Sequence, residues 1–382
     1  MRKVVVLLTL LVLAAWLSYP YVGAAAFVLD LSGSTSWTRR LLPVRTHAVS
    51  TRDVDVPTRY GPVQSRVYVP STPATRAVLV VPGIHGGGID EPRLAAFSQR
   101  LASTGLNVVS LPVPDLRQYR ISPTSTDIIE DAARWMAGNR ELAPEGRIVL
   151  TGISYAGGLA LVAAGRPSLD GKIESVVSFG GHADLPRMLT YLCTGRLPDG
   201  TRRDPHDYPV SIFLLAAIPK LVPPEQMAPM SAALTRFLDA SSLESADRGR
   251  AETMFAEART MALQMPEPAR TLLLLANDRK VHALGPRLLP YIEELGGAAA
   301  LSPDRSRATR ARVFAIHGEH DNVIPSSETP MLADYLTREG NQHVRWLLTP
   351  LLSHADIQTP RLADAWRMIR FWKEMLHVPG RT

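Results

Sequence analysis

Cysteine is almost absent from this chain. Cys193 is the only thiol in 382 residues, which excludes an intramolecular disulfide and any cysteine-built metal cluster. Alone, it reads as a small buried hydrophobe. Runs of like charge are missing as well. The net charge is +6, yet the longest basic clusters are pairs such as Arg39-Arg40 and Arg202-Arg203. Without a basic stripe interleaved with aromatics, nucleic acid is not expected as a partner. The scattered positive charge suits at most a weak attraction to anionic membrane surfaces. Internal repeats and low-complexity tracts are also lacking, which removes solenoids and extended linkers from consideration.

Apolar material is plentiful. The hydrophobic share of 46% excludes a disordered chain, and the length suits one large α/β domain carrying an insertion, or two domains. "MRK" followed by the unbroken apolar run at residues 4 to 17 has the form of a charged leader and a secretory apolar region. Two readings stand. "GAAAF" offers a small-residue cleavage site after Ala26. Alternatively, apolar character continues to Leu29, about 26 residues from Val4, which is long enough to cross a bilayer with tilt. The uncleaved anchor with an exported body is the preferred expectation, and secretion after cleavage the alternative. Arg2 and Lys3 favour a cytoplasmic N-terminus, against Arg39, Arg40 and Arg45 on the other side.

Beyond a polar linker, strand and helix signals alternate. "GPVQSRVYVP" alternates as an early strand, and "AVLVVPG" is a short apolar run stopped by Pro82-Gly83, as expected of a strand buried on both faces. "RLAAFSQRLASTG" has helical spacing. "LNVVSLPVP", "RIVLTG" and "IESVVSFGG" are further strands, separated by "STDIIEDAARWMAGN" and "YAGGLALVAAG" as helices. This rhythm predicts a doubly wound, mainly parallel sheet. It stops near Leu185, where helices and loops take over, with "RTLLLLAND" ambiguous. It returns at "ARVFAIHG". The expected organisation is a signal anchor or signal peptide at 1–30, a linker at 31–48, a core at 49–184 and 310–382, and a helical cap or lid inserted at 185–309. An insertion placed there sits above the carboxyl edge of the sheet, where sites in open α/β sheets form. Its methionines (Met227, Met230, Met254, Met261, Met265) either line an acyl pocket or form the insertion's own helix–helix core.

Chemistry concentrates in four segments. "TGISYAGG" places Ser154 between Gly152 and Ala156 at a strand-to-helix turn, the setting of an activated serine, where neighbours must be small because the backbone is strained. A serine hydroxyl needs a base, and the base an orienting acid. "HGEHDNVIP" supplies Asp321 after one strand and "LLSHAD" supplies His354 after the next, in the chain order serine, acid, base. Glu319, His320 and Asp356 are the alternatives beside them, and Asp184 in "FGGHADL" is a further one after the earlier strand. Acyl transfer also needs two N–H donors for an oxyanion. One is the backbone of Tyr155. The other comes from "PGIHGGG", with Ile84 first and His85 or Gly86 as rivals. That loop lacks both the spacing and the lysine of a phosphate cradle, and His85 has no second ligand at metal spacing.

Together, "GISYAG", "PGIHGGG", "HGEHDNVIP" and "LLSHAD" resemble the α/β-hydrolase superfamily, in particular bacterial esterases and dienelactone-hydrolase-like members, over residues 60–182 and 310–377. The resemblance implies an eight-stranded, mostly parallel sheet and a Ser-His-Asp triad of Ser154, His354 and Asp321. It does not extend to the insertion. Ala156 departs from the usual second glycine, and Pro82-Gly83 stands where many members have His-Gly. The expected activity is hydrolysis of a small-molecule carboxylic ester, hydrophobic or lipid-like, without a cofactor and with the membrane contacted through the N-terminal segment. An acyltransferase or peptidase of the same fold, or a silent binding module, are the alternatives.

Overall fold

A computed structural model of the chain describes residues 20–29, 46–352 and 362–376. Eight strands form one sheet: β1 (Val49–Thr58), β2 (Gly61–Pro70), β3 (Ala77–Val81), β4 (Asn107–Ser110), β5 (Ile148–Ile153), β6 (Ile173–Phe179), β7 (Arg312–Gly318) and β8 (Val344–Thr349). Their spatial order is β1-β2-β4-β3-β5-β6-β7-β8. β1 and β2 are an antiparallel hairpin, β2 joins β4 antiparallel, and every pair from β4 to β8 is parallel. The eight-stranded, mostly parallel sheet expected from the sequence is the one found.

β1 has no counterpart among the sequence-derived strands. "VSTRDVDVPT" lies at the sheet edge and is largely exposed, with only Val56 buried, so no apolar pattern marks it. The central strands behave as continuous apolar runs should. Along β3, Leu79 and Val81 join a core with Ile129, Ala132 and Met136 of the helix Pro123–Gly138. Val78 and Val80 face the opposite core, with Leu94 and Leu101 of the helix Pro92–Ser103 and Trp372 of the helix Leu362–Leu376. The period-two alternation of side chains thus feeds two separate helical layers.

Between β6 and β7 the chain is helical, with Leu185–Thr194, Asp207–Leu221, Pro224–Leu243, Arg248–Gln264, Ala269–Asn277 and Val281–Leu288 as its longer elements. The ambiguous "LLLLAN" stretch is the fifth of these helices. Met230, Met254 and Met265 are buried.

The helix at 20–29 packs on the second core. Phe27 meets the Trp372 ring edge-on at 4.7 Å, and Tyr21 stacks on Trp366 at 5.4 Å. Among the described residues no helix is long and apolar enough to cross a membrane. The apolar run at 4–17 and the polar linker from 31 to 45 lie outside the described residues.

Glu328, 1% exposed, opens the helix Glu328–Arg338 after β7 and reaches back to the turn after β6. Its carboxylate accepts from the N–H groups of Ala183 (2.8 Å) and Asp184 (3.0 Å) and from the Arg187 guanidinium (2.7 and 2.9 Å). Removing it leaves two buried N–H groups and a half-buried cation poorly compensated. Glu328→Ala is expected to lower unfolding free energy by about 3 kcal/mol in a denaturant titration.

Candidate functional site

β5 ends at Ile153, and the helix Tyr155–Ala164 begins two residues later. The one residue between them, Ser154, takes φ 55° and ψ −131°, a left-handed conformation that costs a side-chain-bearing residue about 1–3 kcal/mol. Two hydrogen bonds hold it there: its N–H donates to Phe179 C=O at 2.6 Å, and its C=O accepts from Gly157 N–H at 2.8 Å. Crowding explains the small neighbours. A methyl group at Gly152 would overlap the Ala156 carbonyl, and one at Gly157 would stand 2.9 Å from Gly181 Cα. Ala156 itself is fully buried, so its methyl is packed rather than obstructive.

The loop after β3 runs directly alongside. A Cβ at Gly83 would lie 3.0 Å from both the Ile153 carbonyl and Ser154 Cβ, a tight contact that favours glycine. Of the three oxyanion-donor candidates on this loop, Ile84, His85 and Gly86, His85 has already spent its backbone N–H on Leu116 C=O at 3.2 Å. The N–H groups of Ile84 and Tyr155 have no acceptor among the described residues. The His85 ring accepts from Gly87 N–H through Nδ1 at 3.0 Å, and its burial holds its pKa below the usual histidine range. Among the described residues no three His, Cys, Asp or Glu side chains converge to hold a metal.

Asp321 occupies the loop after β7 and is 3% exposed. Oδ1 accepts from the N–H groups of Val323 (2.8 Å) and Ile324 (3.1 Å), which fixes the carboxylate plane. Oδ2 faces Nε2 of His317 at 3.4 Å. His317 is fully buried and escaped the sequence reading because it sits inside the apolar run "VFAIHG". Its Nε2 lies 2.9 Å from Ile324 C=O and its Nδ1 2.8 Å from Thr329 Oγ1. A carbonyl can only accept, so Nε2 carries the proton and Nδ1 accepts from the threonine.

Ser154, Asp321 and His317 line one small hollow with Ile153, Phe179 and Leu352. The candidate nucleophile and the candidate acid are therefore brought together. His354, the candidate base, and Asp356 lie outside the described residues. Leu352, two residues before His354, is on the wall of the hollow.

The other carboxylates have other employment. Asp184 caps the helix Leu185–Thr194, with Oδ1 accepting from Arg187 N–H and Oδ2 from Arg305 Nε, each at 2.6 Å. Burial works to raise its pKa, and the Arg305 and Arg187 hydrogen bonds overcome it, so the carboxyl is held below its usual range. Glu319 is partly exposed, 4.0 Å from Arg367, and His320 is exposed. Cys193 is buried, and desolvation pushes its thiol up to about 12, which leaves it un-ionised at neutral pH.

A strained serine after the fifth strand, a buried carboxylate after the seventh, and this strand order define an α/β-hydrolase fold. No family model matches the chain, and no curated protein matches it either. Solved structures similar to it include an esterase from Pyrobaculum calidifontis, 17% identical, covering 89% of each chain with a TM-score of 0.49. A thermophilic carboxylesterase cloned from a metagenomic library is 16% identical, with 92% of this chain and 96% of that chain covered at a TM-score of 0.47. A dienelactone-hydrolase-like protein from Klebsiella pneumoniae is 13% identical, with 85% and 98% covered at a TM-score of 0.42. The strand order and the parallel crossovers, not these distant likenesses, carry the fold assignment.

The two carboxylates make opposite predictions. Asp321→Asn is expected to lower turnover about 10³- to 10⁴-fold while the protein stays folded. Asp184→Asn is expected to leave turnover near wild type and to lower stability, read by steady-state kinetics and thermal unfolding of both variants.

Proposed function

We propose that the protein is a serine hydrolase of carboxylic esters. The observation that supports this most directly is Ser154, held at φ 55° on a strand-to-helix turn and sharing a hollow with Asp321. A backbone strained at a polar residue, with its neighbours reduced to glycine and alanine, is the arrangement that raises a hydroxyl clear of the sheet.

In this reading Ser154 Oγ attacks the ester carbonyl carbon, and His354 takes the hydroxyl proton. The carbonyl oxygen becomes an oxyanion facing the Tyr155 and Ile84 N–H groups, where preorganised donors contribute most. The carbon–oxygen bond to the alcohol then breaks, and His354 returns the proton to the leaving oxygen. Water, deprotonated by His354, cleaves the acyl-serine and restores the hydroxyl. Asp321 holds His354 in the productive tautomer and stabilises its charged form. The sequence position of His354 after β8 supports its role. Ile153, Phe179 and Leu352 on the hollow favour an apolar acyl group, and in this reading the helices inserted between β6 and β7 are its cap.

The N-terminal segment stays on the mature chain in this account, holding an exported domain at the membrane. Ala24 and Phe27 are 0% and 3% exposed in a helix packed on the core. Cleavage after Ala26 would place a charged α-amino group on Phe27 inside that apolar cluster, at a cost of several kcal/mol. Mass spectrometry of the membrane-extracted protein is expected to find residues before Phe27 intact; a chain starting at Phe27 contradicts this.

Esters of graded acyl length, with an amide and a lactone of matched size, test the activity. Ester hydrolysis rising with acyl length is the expected result. Ser154→Ala and His354→Ala are each expected to reduce turnover on the order of a thousandfold or more. Retained activity in Ser154→Ala rejects the nucleophile assignment.

A further inference from the structure

The loop after β3 is held from above by the helical region, through one phenol. Tyr208, at the start of the helix Asp207–Leu221, donates its hydroxyl to Ile84 C=O at 3.0 Å. The N–H of the same peptide unit, on His85, donates to Leu116 C=O at 3.2 Å. The peptide plane between Ile84 and His85 is therefore pinned at both ends. On its other side the loop is pressed by Gly83 against Ser154. Ile84 is caught between these two restraints, and its own N–H has no acceptor among the described residues.

Tyr208 is itself well held. Ser242 Oγ lies 3.3 Å from its hydroxyl and 3.1 Å from that of Tyr119, and Tyr119 donates to Asp239 at 2.7 Å. With both phenol protons already spent, Ser242 donates its single proton to one phenol oxygen at a time. Burial pushes the Tyr208 hydroxyl well above its ordinary pKa, so it remains a donor throughout the working pH range. The approach to this helix is tied to the acid loop as well. His206 N–H donates to Asn322 C=O at 2.9 Å, and Arg203 Nη1 donates to Asp321 C=O at 2.9 Å. Residues 203–208 thus span the acid loop and the loop beside the nucleophile.

Resting on the ester-hydrolase reading above, we propose that Tyr208 is a positioning residue that holds the Ile84 N–H aimed at the developing oxyanion. The segment 203–208 couples that aim to the acid loop. Tyr208 touches no reacting atom. Its effect passes through the Ile84–His85 peptide, so it is felt in the transition state and not in substrate binding.

Tyr208→Phe keeps the ring and deletes only the hydroxyl. The expected result is a fall in kcat of about ten- to a hundredfold with KM within about twofold, because a misaimed donor costs less than a missing one. Affinity for a trifluoromethyl ketone, which forms a tetrahedral oxyanion adduct, should weaken by a similar factor. Ser242→Ala, which loosens the phenol without removing it, should shift kcat and ketone affinity the same way by less. The proposal is overturned if both variants keep wild-type kcat and ketone affinity, whatever happens to thermal stability. A rise in KM at constant kcat also overturns it, since Tyr208 would then be a substrate contact. Wild-type hydrolysis that is lost in Ser154→Ala is measured alongside, so a failure of the ester-hydrolase reading is seen separately.

Discussion

Three backbone segments approach one another around Ser154 so closely that even a methyl group would crowd them. The Ser154 N–H reaches the Phe179 carbonyl at the end of β6, Gly157 packs on Gly181 after β6, and Gly83 after β3 lies against the serine itself. This mutual contact holds the left-handed turn. Its conformational cost, about 1–3 kcal/mol, is offset by a sheet whose central strands are buried on both faces. The same contact fixes the backbone on both sides of Ser154, since the Tyr155 N–H follows the turn and the Ile84 N–H follows Gly83. Loosening any of the three segments would move the Ser154 side chain and its surroundings together.

The acid side is built by a different principle. Asp321 is fixed by two backbone N–H groups on Oδ1, while Oδ2 is turned toward the hollow and His317. A buried carboxylate with one oxygen fully bonded presents the other in a single direction, which suits the orientation of an imidazole. The helical region then links the two sides: Arg203 and His206 bond to the backbone of the Asp321 loop, and Tyr208 bonds to the loop beside Ser154.

How much of this was legible beforehand depends on how local each signal is. The parallel strands are short apolar runs between turn residues, and the turn at Ser154 is written in five consecutive residues, so both could be read directly. Asp321 was legible as the carboxylate of a loop after a strand, and it shares the hollow with Ser154. β1 was not, because an exposed edge strand carries no apolar alternation. "LLLLAN" is too short for periodicity to decide between strand and helix, and the helix wins in a wholly helical neighbourhood. His317 is hidden in an apolar run, and its partners Thr329 and Ile324 declare themselves only in three dimensions. The His85 N–H is engaged by Leu116, and Tyr208 bonds to a residue more than a hundred positions away. No local pattern encodes such contacts.

The central claim is that Ser154 is the nucleophile. Exposure to a fluorophosphonate, followed by peptide mass spectrometry, tests it without knowledge of the natural substrate. The account predicts one phosphonyl group per chain, carried on Ser154, with ester hydrolysis lost in proportion to labelling. Labelling on another residue, or full hydrolysis in a chain already modified at Ser154, would contradict it.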